Sequence, residues 1–196
     1  MALAQVRPAT VDDAPGIAAV QHTVWTSAYT SLLPPGATEG FAHDEVAGAW
    51  ARAAEAGGVW VALEGDALVG FVAAGSASAE DLADATGALP DDAASVGAVA
   101  TLLVEPRWGR RGHGGRLLVE AATALRAAGA TRGITWVPER DAALRAFYAR
   151  AGWEPDGTVR TLDAGGRPLR ELRLAGTLDL EYAPEPTMAD LDLPLL

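Results

Sequence analysis

The sequence predicts an α/β (α+β) fold, and three observations support that prediction. The chain has 196 residues, 49% of them hydrophobic, which suffices for one domain with a sizeable core. Apolar runs typical of strands alternate with runs of helical spacing. Two pairs of strand-like runs flank the turn sequences Glu64-Gly65-Asp66 and Asp163-Ala164-Gly165-Gly166, as in β-hairpins. We therefore expect a central sheet with helices packed against it.

The chain begins with a short strand and a helix. Residues 6–8 are strand-like, and Thr10 with Asp13 forms a capping signal. Apolar residues then recur at helical spacing at Ala14, Ile17, Val20 and Val24. The two prolines within residues 32–36 predict the end of this helix.

A second helix and a hairpin follow. Apolar residues at helical spacing within residues 46–53 predict the helix, which ends at Gly57-Gly58. Residues 59–63 and 68–74 are β-rich and form the two arms of the hairpin. Residues 76–95 carry acidic side chains and few bulky apolar ones, so we predict a long acidic loop there.

The next three elements are a strand, a glycine-rich loop and a helix. Residues 96–104 predict the strand, and residues 109–115 contain four glycines. Apolar residues between positions 117 and 128 share one helical face, and Gly129 provides the end of that helix.

The last predicted elements are a strand, a helix and a hairpin. Residues 134–137 predict the strand, and Asp141 is a plausible N-cap for the helix. Leu144, Phe147, Tyr148 and Ala151 line one face of this helix. Residues 159–162 and 169–174 form the arms of the terminal hairpin.

Composition excludes several classes of function. The chain has no cysteine, and its three histidines (His22, His43 and His113) are scattered, so we expect no metal site. The net charge of −11 repels phosphate backbones, which argues against a nucleic-acid partner. The longest apolar run, residues 93–104, is shorter than the roughly 18 residues of a membrane span. The first ten residues lack an export signal, so we expect a cytoplasmic protein with no membrane partner.

The glycine-rich loop is the segment that indicates ligand chemistry. Its glycines let the backbone approach a ligand closely, and the following helix start offers unpaired N–H groups at its positive end. Arg110, Arg111 and Arg116 add charge to it, which favours a phosphate or pyrophosphate. The spacing fits neither the dinucleotide-binding motif nor the lysine-containing P-loop. The alternative is a glycine-rich turn kept for packing alone.

The residues from Gly109 to Arg116 resemble the acyl-CoA pyrophosphate loop, Q/R-x-x-G-x-G/A, of the GNAT superfamily of N-acetyltransferases. The resemblance extends over about residues 6–174, because the flanking elements occur in the family's order. It implies a mixed, mostly antiparallel sheet flanked by helices, whose fourth and fifth strands splay apart in a V to admit pantetheine. It also implies acetyl-CoA as co-substrate. The residues expected to bind CoA are Leu102, Leu103, Val104, Gly109, Arg110, Arg111, Gly112, His113, Gly114, Gly115, Arg116 and Asp141.

Three positions depart from the family's pattern. Gly109 stands where the family usually has Gln or Arg, so Arg110 or Arg111 would supply the charge. Asp141 stands where Asn is usual, and it either helps to bind CoA or only caps its helix. Ala98 occupies the position where many members carry a glutamate that deprotonates the amine through water. The general base is therefore unassigned.

Tyr148 is the candidate general acid. A phenol is a proton donor with a pKa of about 10 in water, close enough to that of a thiol to share a proton with a departing thiolate. The alternative is that Tyr148 is a core residue of its helix. Trp25 and Tyr29, near the end of the first helix, would border the acceptor pocket by the same resemblance, although ordinary packing also explains such aromatics.

The function that these observations predict is transfer of an acetyl group from acetyl-CoA to a primary amine of a small molecule or peptide. Direct transfer in a ternary complex is implied, since no cysteine exists to carry an acyl group. The alternative is a non-catalytic acyl-CoA-binding sensor or scaffold module, which the missing base at Ala98 favours.

We expect one acetyltransferase-like domain over residues 1–175 and a C-terminal extension over residues 176–196. Leu178, Leu180 and Tyr182 alternate with acidic residues as in a strand. We expect this tail to pack on its own sheet edge or on that of a partner subunit, forming a homodimer. A disordered acidic tail is the alternative.

Overall fold

The computed structural model describes residues 4–27, 43–164 and 166–180. Within these ranges the strands are β1 (Ala4–Pro8), β2 (Val59–Glu64), β3 (Ala67–Ser76), β4 (Val96–Val104), β5 (Arg132–Pro138), β6 (Glu154–Asp163) and β7 (Pro168–Gly176). The α-helices of the same ranges are α1 (Ala14–Ser27), α2 (His43–Ala56), α3 (Ala79–Leu82), α4 (His113–Ala127) and α5 (Ala142–Arg150). No helix of the described residues is long and apolar enough to span a membrane.

The strands form one sheet in the order β1-β2-β3-β4-β5-β7-β6. Every neighbouring pair is antiparallel except β4 and β5, which are parallel. Helices flank the sheet, and each face carries its own core cluster. The predicted fold, a mixed and mostly antiparallel sheet flanked by helices, is therefore confirmed.

The two faces of the sheet bury different helices because neighbouring strand residues point in opposite directions. Phe71 packs in a cluster with Ile17 and Val20 of α1. Its neighbour Val72 packs in the other cluster, with Leu117 of α4 and further residues of α4 and α5. The α1 and α2 helices thus cover one face, and α4 and α5 cover the other.

The β4 and β5 strands pair only at their beginnings. Their register joins Val96, Gly97 and Ala98 to residues 132–134, and beyond these positions β5 pairs only with β7. In the ladder between β3 and β4, Thr101 pairs with Ala73 and Val99 with Ala74, so Ala100 is the extra residue of a β-bulge. Bulges bend a strand and commonly lie beside functional sites. The sheet therefore opens in a V between β4 and β5.

The start of α1 is held by the carboxylate of Asp13. This carboxylate accepts hydrogen bonds from the backbone N–H of Thr10 at 2.8 Å and from the Thr10 hydroxyl at 3.0 Å, which confirms the predicted capping signal. The Arg7 guanidinium donates to both carboxylate oxygens, at 2.7 and 2.8 Å. Chiefly because of these bonds, the pKa of Asp13 is lowered to about 2.

Residues 76–95 do not form one long loop as predicted. Ala79–Leu82 form the short helix α3, and the Ser78 hydroxyl caps it by accepting a hydrogen bond from the Asp81 N–H at 3.0 Å. Leu82 is buried with Val96 and Ile134. One leucine is thus enough to anchor an otherwise polar segment, and the Ser-x-x-Asp pattern was the signal for this helix.

The prediction of a strand after β7 is wrong for residues 177–180, which have no strand partner among the described residues. Leu178 is instead only 2% exposed and packs in the same cluster as Trp153. The Trp153 indole N–H donates to the carbonyl oxygen of Thr177 at 3.0 Å. The beginning of the tail therefore packs on its own domain. Residues 181–196 and the predicted helix break at 32–36 lie outside the described residues.

Candidate active site

The glycine-rich loop connects β4 to α4 and has the geometry of an anion cradle. Gly112 is the N-cap of α4 with a φ of 79°, a left-handed conformation that glycine adopts without steric cost. Arg110 also has a positive φ, 59°. The backbone N–H groups of residues 113–115 have no acceptor among the described residues, as expected for the first turn of a helix. These N–H donors and the positive end of the α4 dipole would therefore both face an anion bound in the loop.

Glu64, at the end of β2, holds the glycine-rich loop in place through two of its residues. Its Oε2 atom lies 2.8 Å from Nε2 of His113, and its Oε1 atom accepts a hydrogen bond from Arg111 at 3.1 Å. His113 is only 1% exposed, so its imidazole is enclosed by the fold and supports the loop rather than facing a ligand. The Arg111 guanidinium also lies over the Trp108 ring, 4.8 Å from its centroid. Sequence reasoning missed Glu64, because it lies 47 residues before Arg111.

The remaining loop residues divide between charge and packing. Arg110 is exposed, and Arg116 donates to the carbonyl oxygen of Arg111 at 3.3 Å. A Cβ atom on Gly114 would lie 3.2 Å from the Phe147 ring. Glycine at this position therefore also lets α4 approach α5, so the packing explanation applies to it as well. Gly115 follows it in the first turn of α4.

The edge of β4 that faces β5 is open beyond Ala98. Leu102, Leu103 and Val104 pair with β3 on their other side. The backbone groups on their open edge therefore have no strand partner in the described part of the chain, and they offer donors and acceptors to an extended ligand. The Leu103 side chain packs toward α1, and the side chains of Leu102 and Val104 pack toward α4.

A cavity of about 200 Å³ occupies the V between β4 and β5. On the α4 and α5 side it is lined by Leu102, Thr135, Leu144 and Tyr148. Its remaining wall includes Trp25, Leu103, Trp136, Pro138 and Glu171. Because its walls come from both faces of the sheet, the cavity runs through the sheet at the point where the two strands separate.

Tyr148 belongs both to the core and to the wall of this cavity. It is 2% exposed, and its ring centroid lies 5.1 Å from that of Phe147 and 5.6 Å from that of Trp153. Tyr148 also lines the cavity. The two roles weighed from the sequence are therefore compatible, because the packed ring presents one side to the open space.

The other predicted site residues have mixed placements. Asp141 accepts a hydrogen bond from the Leu144 N–H at 2.9 Å, so the predicted capping role is confirmed. Trp25 lines the cavity, whereas Tyr29 lies outside the described residues. Ala98 packs against the apolar cluster of Leu82 and Ile134. A Cβ atom on Gly109 would lie 3.1 Å from the carbonyl oxygen of Pro106, a tight contact that a small backbone shift would relieve.

Sequence reasoning missed much of the cavity wall, including Trp136 and Glu171. Glu171 alternates along β7 with the apolar residues Leu172 and Leu174, and from sequence alone such alternation predicts that the acidic residue faces solvent. The pairing of β7 with β5 places Glu171 beside Pro138. Only this long-range register brings the carboxylate to the V.

Comparisons with known proteins agree with this geometry. The sequence matches the acetyltransferase (GNAT) family over residues 22–153, and no protein with a curated description matches it. Among similar solved structures with the same fold, PaiA N-acetyltransferase from Thermoplasma acidophilum, in complex with coenzyme A, has 14% sequence identity and a TM-score of 0.65, and the match covers 89% of this chain and 99% of that one. The putative acetyltransferase yncA from Salmonella typhimurium, with acetyl-CoA, has 17% identity and a TM-score of 0.65, with 94% of this chain and 99% of that one covered. Ribosomal-protein-alanine N-acetyltransferase from Brucella melitensis has 17% identity and a TM-score of 0.66, with 88% of this chain and 99% of that one covered. The family match spans more than half of the chain, and the sheet, the glycine-rich loop and the open strand pair accompany it. The chain therefore belongs to the acetyltransferase (GNAT) family.

Proposed function

We propose that this protein is an acetyl-CoA-dependent N-acetyltransferase that acetylates a primary amine of a small molecule or peptide. The observation that carries the proposal is the continuity of three features. The open edge of β4 (Leu102, Leu103 and Val104) leads into the loop of unpaired N–H groups at one end, and it borders the cavity that contains Tyr148. A single extended donor can therefore reach from the loop to the cavity.

The loop would hold the pyrophosphate of the donor. The N–H groups of residues 113–115 and the dipole of α4 attract the negative charge. Arg110, Arg111 and Arg116 add positive charge to the loop, and Glu64 holds Arg111 in place. The open edge of β4 would pair with the amides of the pantetheine arm. Its thioester would then lie in the V.

Tyr148 would serve as the general acid. Acyl transfer to an amine requires a polarised thioester carbonyl and a proton for the departing thiolate. Tyr148 is the phenol that lines the cavity, and its packing between Phe147 and Trp153 holds the ring in place. Since the chain has no cysteine, the amine would attack the thioester directly within a ternary complex.

The second candidate is an acyl-CoA-binding module without turnover. The observation that favours it is Ala98, whose methyl group packs in an apolar cluster at the position where the family often has its base. Incubation with acetyl-CoA and a panel of amines separates the two functions. Release of free CoA thiol with formation of an acetylated amine supports the enzyme. CoA binding by calorimetry without thiol release supports the module, and absence of CoA binding contradicts both.

A further inference from the structure

Glu171 is a buried carboxylate with one oxygen available to the cavity. The residue is 9% exposed and lines the V between β4 and β5. Its Oε2 atom accepts a hydrogen bond from Nε of Arg160 at 2.7 Å. Its Oε1 atom has no hydrogen-bond partner among the described residues, and it is not one of the fully enclosed polar atoms. Buried carboxylate oxygens are normally satisfied, so Oε1 is positioned to accept a hydrogen bond from a ligand.

The charges around Glu171 leave the cavity negative. Arg160 also pairs with Asp81 at 3.2 Å. Arg173 pairs with Asp156 at 2.7 Å and donates to two carbonyl oxygens of α3 at 2.9 Å. Arg132 also lies within electrostatic reach of Asp156, but it is paired with Asp92 at 2.6 Å. The carboxylates of Glu171, Asp81 and Asp156 therefore exceed the guanidinium groups of Arg160 and Arg173 by one negative charge. Among the described residues that line the cavity, Glu171 is the one charged side chain.

The rest of the wall is mostly apolar. The Trp136 ring carries the Arg160 guanidinium 4.3 Å from its centroid, so this aromatic face is already occupied by a cation. Trp136 therefore contributes apolar surface to the cavity rather than a cation–π site for a ligand. Trp25 and Leu169 extend this apolar surface. The volume of about 200 Å³ is below the roughly 300–1,000 Å³ typical of sites for drug-sized ligands.

We propose that Glu171 recognises the acceptor, whose ammonium group donates to Oε1 on binding and releases one proton to water before the neutral amine attacks the thioester, and that Glu171 selects primary amines on an apolar stem that carries no anionic group. This inference rests on the proposed function. An ammonium ion that leaves water needs a charged partner, and Glu171 is the one that the described part of the cavity wall offers. A carboxylate on the same stem would meet a negative cavity with no cationic side chain among the described residues of its wall. Free amino acids are therefore excluded by charge, whereas their decarboxylated or esterified counterparts are accepted.

Matched acceptors test the charge rule with the native protein. The aromatic series is 2-phenylethylamine, phenylalanine methyl ester and phenylalanine, and the aliphatic pair is 3-methylbutylamine and leucine. We expect kcat/KM for the amines and the ester to exceed that for the amino acids by at least tenfold. The ester separates charge from bulk, because it keeps the size of phenylalanine and loses the negative charge. Equal use of phenylalanine and its ester would overturn the proposal.

A lysine side chain offers the same chemistry as a free amine, so Nα-acetyl-lysine amide forms a further arm. If this compound is turned over faster than both small amines, the acceptor is a lysine side chain of a peptide. If it is turned over more slowly, the acceptor is a free small amine. Either result supports the charge rule when the amino acids are excluded. CoA binding without acetylation of any of these amines overturns it.

The Glu171→Gln variant tests the residue itself. Its amide oxygen can still accept the hydrogen bond from Arg160, whereas the charge is lost. We expect KM for 2-phenylethylamine to rise roughly 10- to 100-fold, with a smaller change in kcat and an unchanged Kd for CoA. Glu120→Gln on the exposed side of α4 is the control, and it should leave all three constants unchanged. An unaltered KM in Glu171→Gln contradicts the assignment, whereas loss of CoA binding by the native chain would instead contradict the proposed function.

Discussion

The Tyr148→Phe variant separates the chemical role of Tyr148 from its structural role. The substitution removes one oxygen atom from a side chain that is 2% exposed. The phenyl ring keeps its contacts with Phe147 and Trp153, whose centroids lie 5.1 and 5.6 Å away. The free energy of unfolding should therefore fall by only about 1 kcal/mol, the usual value of one hydrogen bond. For a chain of this length that corresponds to a decrease in Tm of roughly 2–4 °C.

The expected effect on catalysis is much larger. A positioned general acid contributes about 10²- to 10⁴-fold to a rate, which is roughly 2.7–5.5 kcal/mol in the activation barrier. We therefore expect kcat to fall by that factor while the Kd for acetyl-CoA stays within about twofold. Initial rates of thiol release give kcat, titration calorimetry gives Kd, and scanning calorimetry gives Tm.

Thr135→Val is the matched control for Tyr148→Phe. It also removes one hydroxyl from the wall of the same cavity, but this hydroxyl donates to the carbonyl oxygen of Val99 at 2.8 Å. Its loss should reduce stability by about 1–3 kcal/mol, because the buried carbonyl loses its partner. The rate should then change by less than about tenfold. A kcat of Tyr148→Phe within twofold of the native value would refute the general-acid role and leave Tyr148 as a core residue.

Three further predictions concern the loop, the N-terminal ion pair and the tail. Gly112→Asp should abolish CoA binding in calorimetry, because it adds a carboxylate to the anion cradle, whereas Gly129→Asp, at a position with a similar positive φ at the other end of α4, should not. The pKa of Asp13 is lowered to about 2 by Arg7, so the ion pair stabilises the fold above about pH 4, and this contribution disappears as the pH falls toward 2. Asp13→Asn should therefore cost roughly 1–2 kcal/mol in urea unfolding at pH 7 and much less near pH 2. A chain that ends after Leu180 keeps the buried Leu178, and it should be a monomer in light scattering if the tail forms the predicted homodimer. The same oligomeric state in the truncated and the full chain would exclude a role of the tail in dimer formation.

The sequence predicted those elements whose cause is local. Turn residues and apolar periodicity located the hairpin of β2 and β3, the strand β4 and the helix α5 with its Asp141 cap. The start of α4 was less clear, because the helix already begins at His113, inside the glycine-rich segment. Glycine is a poor helix former, so the sequence did not predict the first turn of α4. The close approach of Gly114 to Phe147 favours this turn in the structure.

The predictions that failed depended on tertiary contacts. Residues 177–180 alternate as a strand does, yet the indole of Trp153 engages Thr177, and Leu178 enters the core. The α3 helix has four residues and one buried leucine, too few for periodicity to detect. In both segments a single buried leucine anchors the chain, and apolar periodicity does not reveal such an anchor.

The two ends of the candidate site differ in the same way. The donor end is built largely from the backbone of one continuous segment, β4 with the loop and the start of α4, so its glycines are visible in the sequence. The proposed acceptor end combines Trp25, Trp136 and Glu171, which the register between β5 and β7 and the packing of α1 bring together. Substitution at the acceptor end leaves the donor end intact, because the two ends share no side chain apart from those of β4. If the proposal holds, a single change at residue 171 should therefore alter the charge of the accepted amine while the fold and CoA binding are retained.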